Sequence, residues 1–231
     1  NKAAHKLGAK IILTGILPTI CDSDITLENL TPVPRYKVLN DALRELRGQD
    51  FSFCIRGIDE LITSKATVMV EGCNTSFQVH YQIDPARFAE QFNWAQAIAA
   101  PVLACATNSP LFLGKRLWRE TRIALFHQST DDRGLPSTYR EQRPRVSFGH
   151  RWERHSVVEY YQEAISRHRV LITPSMEQDA LVELKEGRIP KLKALCLFNG
   201  TVYPWNRPCY GITGGKPHLR IESRFLPAGP T

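Results

Sequence analysis

The stretch Leu219-Arg-Ile-Glu-Ser-Arg224 sets one carboxylate, Glu222, between two guanidiniums, Arg220 and Arg224. Strand alternation puts all three on one face, opposite Leu219, Ile221 and Phe225. Two chemistries fit. A carboxylate can hold a divalent cation while an arginine neutralises phosphate, as phosphoryl transfer requires. Alternatively, the three charges form a self-balanced surface ladder that contributes little. A second candidate is Asn74-Thr-Ser-Phe-Gln-Val-His-Tyr-Gln-Ile83. Thr75, Phe77, Val79, Tyr81 and Ile83 share one face of the expected strand; Ser76, Gln78, His80 and Gln82 share the other. The polar ladder suits a substrate groove, and equally the wetted side of an antiparallel sheet.

Other motifs narrow the field. There is no G-x-x-x-x-G-K-[ST], which excludes a P-loop. Gly211-Ile-Thr-Gly-Gly215 reads as a hairpin turn before a phosphate loop. His127, close to the acidic turn Thr130-Asp-Asp-Arg133, reads as a polar residue near that turn and not as a metal ligand. The six cysteines are scattered without a C-x-x-C pair, so zinc and thioredoxin-like sites fail on spacing. Arginines gather between Arg133 and Arg169 (Arg140, Arg143, Arg145, Arg151, Arg154 and Arg167 among them). They could face RNA, a nucleotide or an anionic substrate, or form a solvated or protein-facing surface.

The elements that must position these residues are legible in outline. Lys10 to Pro18 is a β-rich apolar run. Tyr36 to Arg47 has apolar residues at helical spacing and stops at Gly48. Phe51 to Ile55 alternates weakly as a strand. Asp84-Pro85 opens a long helix toward Ala100, with a second apolar segment to about Ala106. Glu120 to Arg133 is read as a cationic strand joined to an acidic turn. His155 to Arg167 and Met176 to Lys185 read as helices, with a short strand at Arg169 to Thr173 between them. Gly200 to Tyr203 and Leu219 to Arg224 read as strands. The expected class is α+β, an antiparallel sheet with helices packed on one face.

The bulk numbers agree with a globular chain. Of 231 residues, 42% are hydrophobic and 23% charged, enough for one sizeable core or two small ones, with a net charge of +7. No apolar run approaches the roughly 20 residues of a membrane helix. Neither an initiator Met nor a signal-peptide pattern opens the chain, and a reduced, cytoplasmic protein is expected.

Several blocks, in order, resemble the second glutamate–cysteine ligase family of plant and bacterial carboxylate–amine ligases. Thr14-Gly-Ile-Leu-Pro18 and Pro34-Arg-Tyr-Lys37 resemble its G-x-x-P segment and R-Y-K element. Thr75 to His80 resembles its T-x-Q-V-N strand, with His80 for asparagine. Asn108-Ser-Pro110 with Gly114 resembles its N-S-P turn. Arg122 and Thr130 to Arg133 resemble its arginine and D-x-D-R turn, and Leu219 to Arg224 its closing E-x-R strand. The resemblance implies a single catalytic-type domain over residues 1–231 with a glutamine synthetase-like sheet. It implies ATP and Mg2+ as cofactors, and glutamate with an amine such as cysteine as substrates. The product would be a γ-glutamyl amide, formed through a γ-glutamyl phosphate. By position, Gln78 and Glu222 would be metal ligands, and Arg122 and Arg224 catalytic. Arg35, Thr75, His80 and Arg122 would bind substrate, and Arg133 and Arg220 the nucleotide. The family's first strand, with its E-x-E ligands, and a helix after the last turn have no counterpart here. The expectation is therefore an incomplete domain, truncated at both ends and inactive alone, with a sheet edge that could support a homo-oligomer. His80 and Gln82 leave the acceptor amine unspecified. The rival is a non-catalytic regulatory or scaffolding domain that keeps the ligase fold; membrane and nucleic acid are not expected partners.

Overall fold

The computed structural model describes residues 2–133, 143–173, 175 and 179–229. After a short helix, α1 (Lys2–Lys6), the apolar run Lys10 to Pro18 forms no strand, only a single bridge from Ile16 to Asn74. Helix α2 (Pro34–Arg47) begins with proline at its first position and ends on Gly48 at φ 70°, a left-handed stop that glycine takes without strain.

Strands β1 (Phe51–Arg56) and β2 (Glu60–Lys65) form an antiparallel hairpin. Phe51, Phe53 and Ile55 alternate inward and meet Leu43 of α2 and Leu125. This first core is closed by α3 (Met69–Gly72) and α5 (Arg122–Ser129). The segment expected as a cationic strand is therefore helix α5. Its run of Ile123, Ala124, Leu125 and Phe126 fits either period, and packing on β1 decides.

The central sheet has three antiparallel strands in the order β3 (Val79–Ile83), β9 (Lys216–Ser223), β8 (Asn206–Thr213). Its apolar face, with Ile83, Leu219 and Ile221, packs on Phe88 and Phe92 of α4 (Phe88–Ala106) and on Tyr160 of α6 (Val157–Arg167). Helices thus cover one face of this sheet. The two segments expected on either side of Pro101 form one helix, α4.

Strand β3 is shorter than the alternation predicts. Phe77 is 58% exposed and Val79 39%, because the chain before Val79 leaves the sheet and is tied by backbone bonds to Gly15, Leu226 and Ala228. The two-residue pairings β4 (Leu111–Phe112) with β5 (Lys115–Arg116), and β6 (Val146–Ser147) with β7 (Tyr203–Pro204), complete the strands among the described residues; the latter pairing is parallel. Two more helices, α7 (Ala180–Lys185) and α8 (Lys193–Asn199), lie in the C-terminal part. The strand expected at Arg169 to Thr173 does not form. The one expected at Gly200 to Tyr203 is a turn that enters β7 only at Tyr203. Of the helix expected from Met176, the described part begins at Ala180.

Candidate functional site

The polar face of the central sheet opens into a cleft of about 960 Å³. The start of α2, the helix α8 and the α3 region bound it, and Arg35, Glu71, Gln78, Arg207, Glu222 and Arg224 line it. Residue register builds the floor. The glycine pair Gly214-Gly215, both at positive φ, makes the β8–β9 turn. That turn sets Arg207 opposite Glu222, and β3 sets His80 opposite Glu222 from the other side. Alternation then sends all three side chains to the same face.

Glu222 is almost fully buried and held from both sides. Its Oε2 accepts Arg207 Nε at 2.7 Å and lies 2.6 Å from Arg207 Nη2. Its Oε1 lies 3.5 Å from His80 Nε2, which is also 3.4 Å from Gln78 Oε1. Arg220 Nε donates to His80 Nδ1 at 3.2 Å, so the ring proton belongs on Nε2, between the Gln78 and Glu222 oxygens. Burial pushes the Glu222 carboxyl up, but Arg207 and then Arg224 outweigh it and hold it below the usual carboxylate range.

Arg224 forms the inner wall. Its guanidinium lies 5.8 Å from the Phe126 ring centre and 5.9 Å from that of Tyr203. Nε and Nη1 are buried and have no hydrogen-bond partner. Burial, then the neighbouring Arg207, lower its pKa against the opposing pull of Glu222 and Glu71. Arg224 and Glu71 also line a smaller side cavity, a branch of about 40 Å³, together with Asn74, Arg122 and Trp205. Both amide atoms of Asn74 are buried and have no hydrogen-bond partner. Buried donors and acceptors in folded proteins are rarely left unmatched, so this wall is built for a polar occupant.

The remaining expected residues are placed as follows. Arg122 is buried in the branch wall, with Nε donating to Glu120 at 2.6 Å and Nη2 to the Phe225 carbonyl at 2.5 Å. Glu120 in turn accepts from Ser109 Oγ and the Asn108 backbone, which ties the Asn108-Ser-Pro110 turn to Arg122. Arg35 stands exposed at the cleft rim and reaches the Gly200 carbonyl at 3.4 Å. A Cβ on Gly200 would lie 3.2 Å from that guanidinium. Arg220 shares the sheet's polar face with His80. Two residues fall away from the cleft. Thr75 is exposed and uses its backbone to hold Gly15 and Ala228, and Arg133 grips Asp131 at 2.7 and 2.8 Å. His127 lies in α5, where burial lowers its pKa.

Sequence reasoning did not single out Arg207, Glu71 or Asn74. The signal for Arg207 was present, since a hairpin centred on Gly214-Gly215 fixes its register to Glu222. For Glu71 and Asn74 there was none, because a chain reversal between α3 and β3 brings them to the wall.

The donor set suits an anion better than a bare cation. No group of three or more His, Cys, Asp or Glu able to hold a metal occurs among the described residues. Gln78 Oε1 and Glu222 Oε1 do converge, through His80 Nε2, and could complete the shell of a Mg2+ that arrives with phosphate and water ligands of its own.

A family model, glutamate-cysteine ligase family 2, matches residues 1–184. The match takes in Arg35, Glu71, Gln78, His80 and Arg122, while Arg207, Glu222 and Arg224 lie beyond it. No curated protein and no solved structure matches the chain. The matched segment is most of the 231 residues, and it supplies one wall of a cleft whose chemistry suits carboxylates and phosphates: the chain belongs to glutamate–cysteine ligase family 2, a family of carboxylate–amine ligases.

Proposed function

We propose that the cleft binds ATP with Mg2+ and glutamate, as the site of a glutamate–cysteine ligase-type enzyme built on a glutamine synthetase-like sheet. The observation that carries this reading is Arg224, which lines the cleft beside Arg35 and Arg207 and whose Nε and Nη1 are buried without a hydrogen-bond partner. A planar guanidinium pairs bidentately with carboxylate or phosphate. ATP with Mg2+ supplies a phosphoryl group that activates the substrate carboxylate. The chain's own residues do the rest. Arg224 receives the transferring phosphate and stabilises charge that grows on it, in a wall from which water is excluded. Arg207 occupies Glu222 Oε2, which leaves Oε1, on the side of His80 and Gln78, as the oxygen that would hold the cation. Arg35 holds the far anionic end of a substrate at the rim. Thr75, Arg122, Arg133 and Arg220 belong to this proposal as supports: Arg122 shapes the branch, Arg220 sets the His80 ring, Thr75 pins the entry to β3, and Arg133 orders the acidic turn.

Calorimetric titration of the chain with Mg2+–ATP, with and without glutamate, tests the reading. Magnesium-dependent binding that glutamate strengthens supports it. No binding by this chain or by the full-length protein, with or without glutamate, would assign it to a non-catalytic scaffold that keeps the ligase fold.

A further inference from the structure

Two carboxylates face the cleft, and their surroundings differ. Glu222 is committed to Arg207 and His80. Glu71, in α3, accepts no side-chain hydrogen bond from any described residue; the group that acts on it is Arg224. It lines both the cleft and the branch, with Tyr203 and Arg224 near it and Arg122 also in the branch lining. Arg35 of α2, Lys193 of α8, and Arg207 and Glu222 of the sheet are the other charged groups around the cleft. Asn74 lines the same branch, and both atoms of its amide are buried without a hydrogen-bond partner. An acid and an amide oxygen that lack donors, next to an arginine that lacks acceptors, fit a ligand positive at one end and negative at the other.

Resting on the ligase reading above, we propose that the acceptor amine docks at this junction, its ammonium on Glu71 and Asn74 Oδ1, and that Glu71 is the base that takes its proton. An ammonium has no lone pair and cannot attack. Glu71 removes one N–H proton and becomes a neutral acid, which leaves the amine with its pair. The nitrogen then bonds the acyl carbon while the bond from that carbon to the phosphate oxygen breaks. Phosphate departs with the electron pair, held by Arg224, and carries away the second N–H proton. Burial, which pushes the Glu71 carboxyl up, suits a group that must hold a proton transiently.

The test compares two acceptors in the full-length protein with glutamate and ATP. L-Cysteine enters as an ammonium; hydroxylamine is already uncharged at neutral pH. Glu71→Gln should lower kcat with cysteine by about 10²-fold or more while hydroxamate formation falls far less. The acid limb of the kcat/KM profile with cysteine should disappear in the same variant. Equal losses with both acceptors, or no loss with either, overturn the proposal. Circular dichroism and ATP calorimetry on Glu71→Gln show whether the variant is folded and still holds nucleotide. If the wild type forms no hydroxamate despite binding ATP, the ligase reading itself fails and this proposal falls with it.

Discussion

Arg224 and Glu71 share one wall, and each is held at a cost the fold alone does not offset. For Glu71 the cost has a measurable sign. Burial raises its carboxyl above the ordinary value of 4.5, with Arg224 opposing. The folded state therefore binds that proton more tightly than the unfolded chain. The resulting stabilisation is complete below pH 4.5 and is lost as the pH rises through the folded value. Glu71→Gln, which is neutral throughout, should melt at a higher temperature than wild type at pH 7 and show no such advantage near pH 4. A Tm that falls at pH 7 would mean the carboxylate is held by partners. Arg122 behaves differently, because its charge is matched within the fold. Arg122→Ala strands Glu120 in the interior and should lower unfolding stability by about 3–5 kcal/mol in urea titrations. In Arg224→Ala, Glu222 keeps Arg207, while Glu71 loses its one opposing cation and holds its proton to a higher pH; the variant should abolish ATP binding and lose less stability than Arg122→Ala in urea titrations.

Among the elements, the β8–β9 hairpin is the part most plainly written in local sequence. Gly214 and Gly215 take the positive φ that a two-residue turn requires, and the strands follow in register from there. The same legibility failed at residues 74–78. Their alternation is real, but the backbone bonds of Thr75 and Phe77 go to Gly15 and Leu226 rather than to a neighbouring strand. Alternation reports which way side chains point and says nothing about where the partner strand stops. The α6 region carries its own pH dependence. His168 is held at a pKa of about 4 by burial first and then by Arg145, with Asp132 opposing. Its unfolded value is near 6.5, so the unfolded chain takes up the proton first as the pH falls. The stability that neutral His168 contributes is present above pH 6.5 and is lost toward pH 4. Thermal melts between those values should show a falling Tm, with a shallower slope in His168→Gln.

Across the molecule, the net charge of +7 resolves into paired and unpaired parts. Among the described residues, much of the arginine cluster near 133–169 is matched. Arg145 is fully buried on Asp132 and on the carbonyls of Arg169 and Thr201. Arg151 and Arg167 share Glu163, and Arg133 holds Asp131. Arg140 lies outside the described residues. Inside the cleft, Arg224 has no hydrogen-bonded acid, and Arg35 at the rim reaches only a backbone carbonyl, so the cleft suits small anions. No described helix is long and apolar enough to cross a membrane. Mg2+–ATP at a hundredfold excess over its Kd should stabilise the fold by about 2.7 kcal/mol, seen as a raised Tm, and Arg224→Ala should erase that shift.

Local physics fixed helix α2 from Tyr36 to its Gly48 stop, though not its first turn at Pro34, and with it strand β1, the Asp84-Pro85 entry to α4, and the Glu222–Arg224 face. Each depends on side-chain period or on a backbone conformation that few residues adopt, and such signals lie within a few neighbouring positions. The cleft itself was decided by tertiary structure. Glu71, Asn74, Arg207 and Arg224 meet because a chain reversal after α3, a hairpin and the approach of α2 and α8 close on one sheet face. Glu71 meets Arg224, and His80 meets Glu222, only through contacts between residues more than a hundred positions apart, and no local pattern encodes them.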